Sequence, residues 1–469
     1  MLRKVAYRRC RMIGTKVVLA ALALFLLAAP AARAAITVDW AGSGDYVTIK
    51  EGIAAAGEGD TVLVLDGTYT GPDNRDLDFG GTNIVLVSES GYALTAIYCE
   101  GAGRAFHFRG GQDTTSVVRG FTVSGAAADS GAGAFCENGS NVRFIGCLFV
   151  NNTAEECGGG LCSIGSSPVI RGCRFEENTA DDGASAGWGG GMACLLGSAP
   201  VIEDTEFDSN VSRYSGGALY TYYAPITCDG CTFTGNGLVS YGYSGAGASI
   251  VFSDGASFAG CVFSRNGINH NPVGGAVYVS SSMLTVSECS FLDNDAGQGA
   301  GMHFTEGSGG TVSGCTFAGN TSGWSACGGV SCSFSSAPTI TGCTFSDNEY
   351  YHVWCDGSSP TIEYSILAFC SPYSPVHCAG ETEAPHIHHC FVYGNAGGDS
   401  LCGGNFHDIV KLNPLFCDRA EGDYTLCQNS GCLPGVTWPS LVGAHGQGCG
   451  PCENAVEAGT WGEIKAMYR

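Results

Sequence analysis

Short apolar–polar alternations recur along most of this chain, and no segment inside its repeats sustains a helical period. In GSSPVIRGCRFEEN, residues 165–178, Val169-Ile170-Arg171 and Cys173-Arg174-Phe175 alternate with the period of half-buried strands. The same Pro-x-Ile-x-x-Cys-x-Phe-x-x-Asn skeleton returns as SSAPTITGCTFSDN at 335–348. The Phe–Asn pair stands at Phe149/Asn152, Phe175/Asn178, Phe207/Asn210, Phe233/Asn236, Phe263/Asn266, Phe291/Asn294, Phe317/Asn320 and Phe345/Asn348, with a degenerate copy at Val392/Asn395. Successive Phe residues lie 26, 32, 26, 30, 28, 26 and 28 positions apart, a period that signals a solenoid. After each Asn and a variable loop a second strand opens on small residues, as in Gly159-Gly160-Leu161 and Gly217-Ala218-Leu219.

The same residue at the same corner of every repeat fits identical turns stacked along an axis better than a sandwich. Stacking at about 4.8 Å sets each Asn above the next, where amides can bond along the row. Asn also tolerates the left-handed backbone of a sharp corner, Phe stacks inward, and Gly pairs admit bends. The predicted fold class is all-β: a right-handed parallel β-helix solenoid with an N-terminal amphipathic helix cap and a Cys-rich C-terminal cap. It should run to roughly ten to twelve rungs and about 50–60 Å. The Phe-x-x-Asn and Gly-Gly-Ala/Gly elements resemble the repeats of bacterial polymorphic outer-membrane proteins and other pectin-lyase-like β-helices over about residues 140–395. That resemblance implies the fold, and an architecture that hosts lyases, hydrolases, adhesins and spacers alike.

Five segments follow. Residues 1–34 combine a basic leader, an apolar run and Ala32-Arg33-Ala34, the pattern of a secretory signal peptide. The expectation is export to the extracellular space, cell surface or periplasm. Residues 35–139 hold the N-terminal cap and early rungs, with Thr48 capping a short helix that carries Ile49, Ile53 and Ala56 on one face. Residues 140–395 are the main repeats, 396–452 the Cys-rich cap and 453–469 a tail. No other segment approaches a membrane span, so no transmembrane domain is expected in the mature chain.

Without residues 1–34 the chain keeps 14 basic against 44 acidic side chains. That excess argues against nucleic acid as a partner, and against acidic polysaccharide unless a cation bridges the two. Of 26 Cys, Cys147, Cys173, Cys231, Cys261, Cys289, Cys315, Cys343 and Cys390 share one repeat position, where Thr205 and Ser365 substitute. A packing role suits them. Cys402, Cys417, Cys427, Cys432, Cys449 and Cys452 read as disulfide formers, and Cys449-Gly-Pro-Cys452 lacks the context of a redox motif.

Three groups could carry chemistry. Glu155, Glu156, Asp181 and Asp182 fall in adjacent turns, where clustered carboxylates invite Ca²⁺. Arg213 aligns one rung on, either as a base in a lyase or as an ion-pair partner of Asp181. Glu363, His386 and His388 could hold a transition metal. Trp188, Tyr220, Tyr222, Tyr223, Tyr278 and Trp354 lead a set of aromatics suited to sugars or a partner surface; Tyr214, Tyr241, Tyr243, Trp324, Tyr350 and Tyr351 belong to the same set. The reading is a secreted or cell-surface β-helix that binds a polysaccharide or cell-surface ligand in an adhesin-like manner without catalysis. The alternatives are a Ca²⁺-dependent polysaccharide lyase or glycoside hydrolase, and a structural spacer.

Overall fold

Each repeat closes one turn of a parallel β-solenoid, because its short alternating strands are divided by residues that bend sharply. The computed structural model describes residues 35–183, 186–239, 244–267, 273–323, 327–379 and 383–452. The expected signal peptide and tail lie outside the described residues, as do Tyr241, Tyr243 and Trp324. In the turn that begins at Ala134 the strands are Ala134–Glu137, Arg143–Ile145, Leu148–Val150 and Thr153–Cys157. Each pairs in parallel with its equivalent one repeat later: Phe135 with Cys162, Phe144 with Ile170, Phe149 with Phe175 and Thr153 with Thr179. The solenoid has about fifteen turns, more than the ten to twelve expected. The less regular strands between Ile36 and Ser124, and Phe406–Val410, also stack as rungs. At about 4.8 Å per rung the axis is about 70 Å long.

Two inward rows tie the turns together. From Phe149 to Phe345 neighbouring rings of the Phe row lie 4.5–5.1 Å apart and within 8° of parallel. In the Asn row each side-chain amide donates to the next Asn Oδ1, from Asn152 through to Asn348, at 2.8–3.1 Å. The second amide hydrogen goes to a carbonyl of the preceding rung, as from Asn236 to Phe207 at 3.0 Å. Oδ1 also accepts the backbone N–H of the Asn before it, as Asn236 does from Asn210 at 2.9 Å. Both donors and both acceptor sites are therefore used, which allows these amides to sit fully buried. The row ends where Cys370 replaces the next Asn. His352 fills that slot, its Nδ1 accepting from Asn348 at 3.1 Å and its Nε2 donating to the Ala368 carbonyl at 3.0 Å.

The left-handed corner is not at Asn, as expected, but one residue earlier. Asn151, Glu177, Ser209, Arg265, Asp293 and Asp347 have φ between 52° and 57°. The bend must come first so that the following amide turns inward to its neighbours. The Cys row also does more than pack. Cys173 Sγ donates to the Arg171 carbonyl at 3.5 Å and accepts the Cys147 N–H at 3.4 Å. Thr205 and Ser365 make the same two kinds of bond, which explains why a hydroxyl replaces the thiol there.

At the N-terminus the helix Ile49–Ala55 is capped by Thr48, whose hydroxyl accepts the Glu51 N–H at 3.3 Å. It buries Ile49 and Ile53. Gly52 is required there, since a Cβ would stand 2.5 Å from Val38 Cγ2. Beyond Val410 the chain folds back along the outside of the solenoid. Val442, Trp438 and Leu441 pack with Ile366 and Phe391, and the Ala444 N–H donates to Thr344 Oγ1 at 2.9 Å. The disulfides are Cys378–Cys402, Cys417–Cys449 and Cys427–Cys452. Two expectations change. Cys432 is a buried free thiol in the apolar contact with the solenoid, and Cys378 takes its place as the partner of Cys402. Cys449 and Cys452 bond elsewhere and not to each other, so they form no dithiol pair.

Replacing Asn236 by Ala orphans the Asn210 amide and backbone N–H in a dry interior. The expected cost is about 2–5 kcal/mol in denaturant unfolding, and a loss below about 1 kcal/mol would contradict the ladder's role.

Candidate functional site

On the eleven-stranded sheet the second residue of each strand points away from the core. Ala193, Tyr220, Ser249, Tyr278, His303, Ser331, Trp354 and His377 form one such column, rung by rung. Beside it Trp188, Ser215 and Ser244 pair as single-residue parallel bridges in consecutive turns. The Trp188 ring lies 6.1 Å from Tyr214 and 6.4 Å from Tyr220. Trp188, Tyr214, Ser215 and Ser244 line an open groove of about 390 Å³. Its floor is apolar, because Trp188 rests on Cys157, Cys162 and Ala193. Ser215 Oγ bonds the Ser244 carbonyl and Ser249 Oγ, both at 2.8 Å. Burial pushes the Tyr220 hydroxyl up to about 12, so that ring stays neutral.

The expected aromatics do not form one exposed face. Trp188, Tyr220, Tyr222, Tyr278 and Trp354 are half-buried and only Tyr223 is exposed, because the rings pack on neighbours in adjacent rungs. Tyr222 and Tyr223 meet Phe252, with Tyr223 and Phe252 stacked at 5.0 Å. Tyr278 stacks on His303 at 5.8 Å. Trp354 sits 4.3 Å from His377, and Tyr351 stacks on Tyr373 at 5.1 Å. Phe252, Tyr373 and His377 are additions that rung-by-rung alignment of the outward positions could have found.

The four carboxylates expected to hold Ca²⁺ do not converge. Asp181 is ion-paired to Arg213 and also accepts the Gly183 N–H at 2.7 Å. Asp182 lies 3.9 Å from the same guanidinium, and Glu156 accepts from Ser130 at 3.2 Å. Glu155 is exposed on the strand beside Glu156. Among the described residues no three of these carboxylates approach as ligands of one ion. Arg213 is the ion-pair partner of Asp181, and the Asp181 hydrogen bond raises its pKa further above the usual value. Of the expected metal group, Glu363 and His388 meet at 3.6 Å. His386 stays apart, exposed and opposite Thr361. His389, at a left-handed φ of 53°, stands beside His388 instead, and these side chains do not bring three ligand atoms within reach of one ion.

The family model for the right handed beta helix region matches residues 85–291 and 256–413. The chain belongs to the right-handed β-helix family. No curated protein matches it. Among solved structures it is similar to ORF18 of Geobacillus virus E2, at 15% identity and a TM-score of 0.35, over 72% of this chain and 57% of that one. It is also similar to the catalytic domain of a GH87 alpha-1,3-glucanase in complex with nigerose, at 11% identity and 0.28, over 82% and 69%. A third is the Dettilon tailspike protein gp208, at 12% identity and 0.21, over 69% and 64%. The chain therefore spans little more than half of the first of these, and at such scores the likenesses carry no argument about activity. Within the β-helix no helix among the described residues is long and apolar enough to cross a membrane.

One outward group reports on the integrity of this surface. His303 is fully covered beside Tyr278, and burial pushes its pKa down to about 3. Its unfolded value is about 6.5, so the unfolded chain binds the extra proton between those limits. Its contribution to stability is complete above pH 6.5 and is lost as pH falls toward 3. At pH 5 the His303→Gln variant should take up about one proton fewer on unfolding than the parent; an unchanged pH slope would place His303 in water.

Proposed function

We propose that this protein is an exported β-helix, free or at a cell surface, that binds carbohydrate without turning it over. What supports the reading is the groove at Trp188, Tyr214, Ser215 and Ser244, where two flat rings stand beside hydroxyl and backbone polar groups. Sugars present apolar faces to such rings and hydroxyls to such polar neighbours. The formal charge of −23 repels acidic polymers, so a neutral glycan is the favoured class. Glycoside hydrolysis uses two carboxyl groups across the scissile bond, and the described residues lining the groove include none. Asp181 is committed to Arg213.

A glycan array run beside reducing-sugar and unsaturated-uronate assays tests this. The parent should bind a neutral glycan without releasing either product. Tyr214→Ala and Trp188→Ala should each weaken binding at least about tenfold. Turnover would instead establish a hydrolase or lyase, and neither binding nor turnover would leave a spacer.

A further inference from the structure

Cys157 ends the strand Thr153–Cys157, and Cys162 is the second residue of the strand Leu161–Ile164. Gly158, at a φ of 65°, turns the chain between them, so tightly that a Cβ on it would stand 2.7 Å from Cys162 Cβ. The two thiols therefore face each other across one corner of one turn, with their Sγ atoms 2.9 Å apart. The same two columns carry Trp188 and Ala193, then Ser215 and Tyr220, then Ser244 and Ser249 in the following turns. Both thiols lie outside the main core, in a small cluster against which Phe135 and Trp188 pack. Cys162 is fully buried and Cys157 is 4% exposed.

This contact sets the pair apart from the cysteines of the inner row. Those thiols donate to carbonyls, as Cys173 does to Arg171 at 3.5 Å. Sulfur is larger than oxygen, so a contact between two sulfurs ought to be the longer kind, yet at 2.9 Å it is the shorter. Closure to a bond of about 2.05 Å is a short step from this arrangement. We propose that Cys157 and Cys162 are a redox-active pair that a small disulfide oxidant closes to an intramolecular disulfide beneath Trp188. The Cys162 thiol donates to Cys157 Sγ and so lowers the Cys157 pKa, against burial and the nearby Glu156 and Asp129 carboxylates. Burial pushes Cys162 well above the usual thiol value. Cys157 is thus both the more readily ionised and the outer sulfur, and it attacks first. Its thiolate displaces one thiol from the oxidant RSSR and forms a mixed disulfide. Cys162 Sγ then attacks Cys157 Sγ and expels the second thiol. Two electrons and two protons pass from the pair to RSSR, which leaves as two RSH. An oxidising compartment keeps the bridge and a reducing one the dithiol. No ligand of the groove enters this assignment, so it and the glycan reading can fail separately.

The folded full chain, reduced with a thiol, returned to bis(2-hydroxyethyl) disulfide, then alkylated in denaturant and peptide-mapped, tests the pair. This oxidant is small and uncharged, so the acidic excess of the chain does not repel it. The expected product is a peptide holding Cys157 and Cys162 that is two hydrogens lighter and alkylated at neither, while Cys147 and Cys173 are alkylated in full. Serine already stands in each column, at Ser215 and Ser249, so Cys157→Ser and Cys162→Ser keep the fold. Cys162→Ser should trap mercaptoethanol on Cys157, and Cys157→Ser should trap none on Cys162. Free thiols at both positions after oxidation, a bridge from either to another cysteine, or trapping on Cys162 and not on Cys157 in the two variants would overturn the proposal.

Discussion

A buried carboxamide that spends all four of its hydrogen-bonding positions, once per turn from Asn178 to Asn348, sets the register of the central repeats. The net gain from each bond is modest, about 0.5–1.5 kcal/mol, while an orphaned partner costs more. The row therefore acts chiefly against misregistration: a rung displaced by one residue would leave buried N–H groups on both neighbours without acceptors. This also explains how repeats of 26 to 32 residues coexist. The stacked Asn and Phe positions stay in place whatever the repeat length. Phe rings then stack because the backbone beneath them is already aligned, adding apolar burial to a register fixed by polar bonds.

Where a residue type and its physical role coincide, the structure was readable from the sequence. Phe149 to Phe345 and Asn152 to Asn348 are such positions, and so is the Thr48 cap. Legibility failed where backbone conformation is not written in residue type. Glu177 and Arg265 adopt left-handed φ at the corner although neither favours it, because the following amide compensates. Early rungs such as Val85–Ser88 and Val117–Arg119 are legible as strands but carry no Phe–Asn landmark to count by, so the number of turns expected falls short of the number present. A serine row, Ser140 to Ser166 to Ser198 at 3.1 and 3.4 Å, hides among many solvent-facing serines.

The candidate sites divide along the same line. Adjacency in neighbouring turns was correct for Asp181 and Arg213, and for Glu363 and His388, because rung alignment predicts which residues lie one turn apart. What a single column cannot reveal is competition from its neighbour. Arg213 claims Asp181, and the corner residue His389 reaches His388 where the strand residue His386 does not. The outward columns and the loops beside them are what a ligand would meet, while the inward rows keep those columns parallel.

Side-chain amide hydrogen exchange by NMR measures the amide row directly, and adjacent residues provide the control. Asn151 is exposed and Asn152 fully buried in the row. Protection of the Asn152 to Asn320 carboxamides as one cooperative set, beside free exchange at Asn151, is the result this account requires. Exchange of the two neighbours at the same rate would mean the turns are not held by their amides.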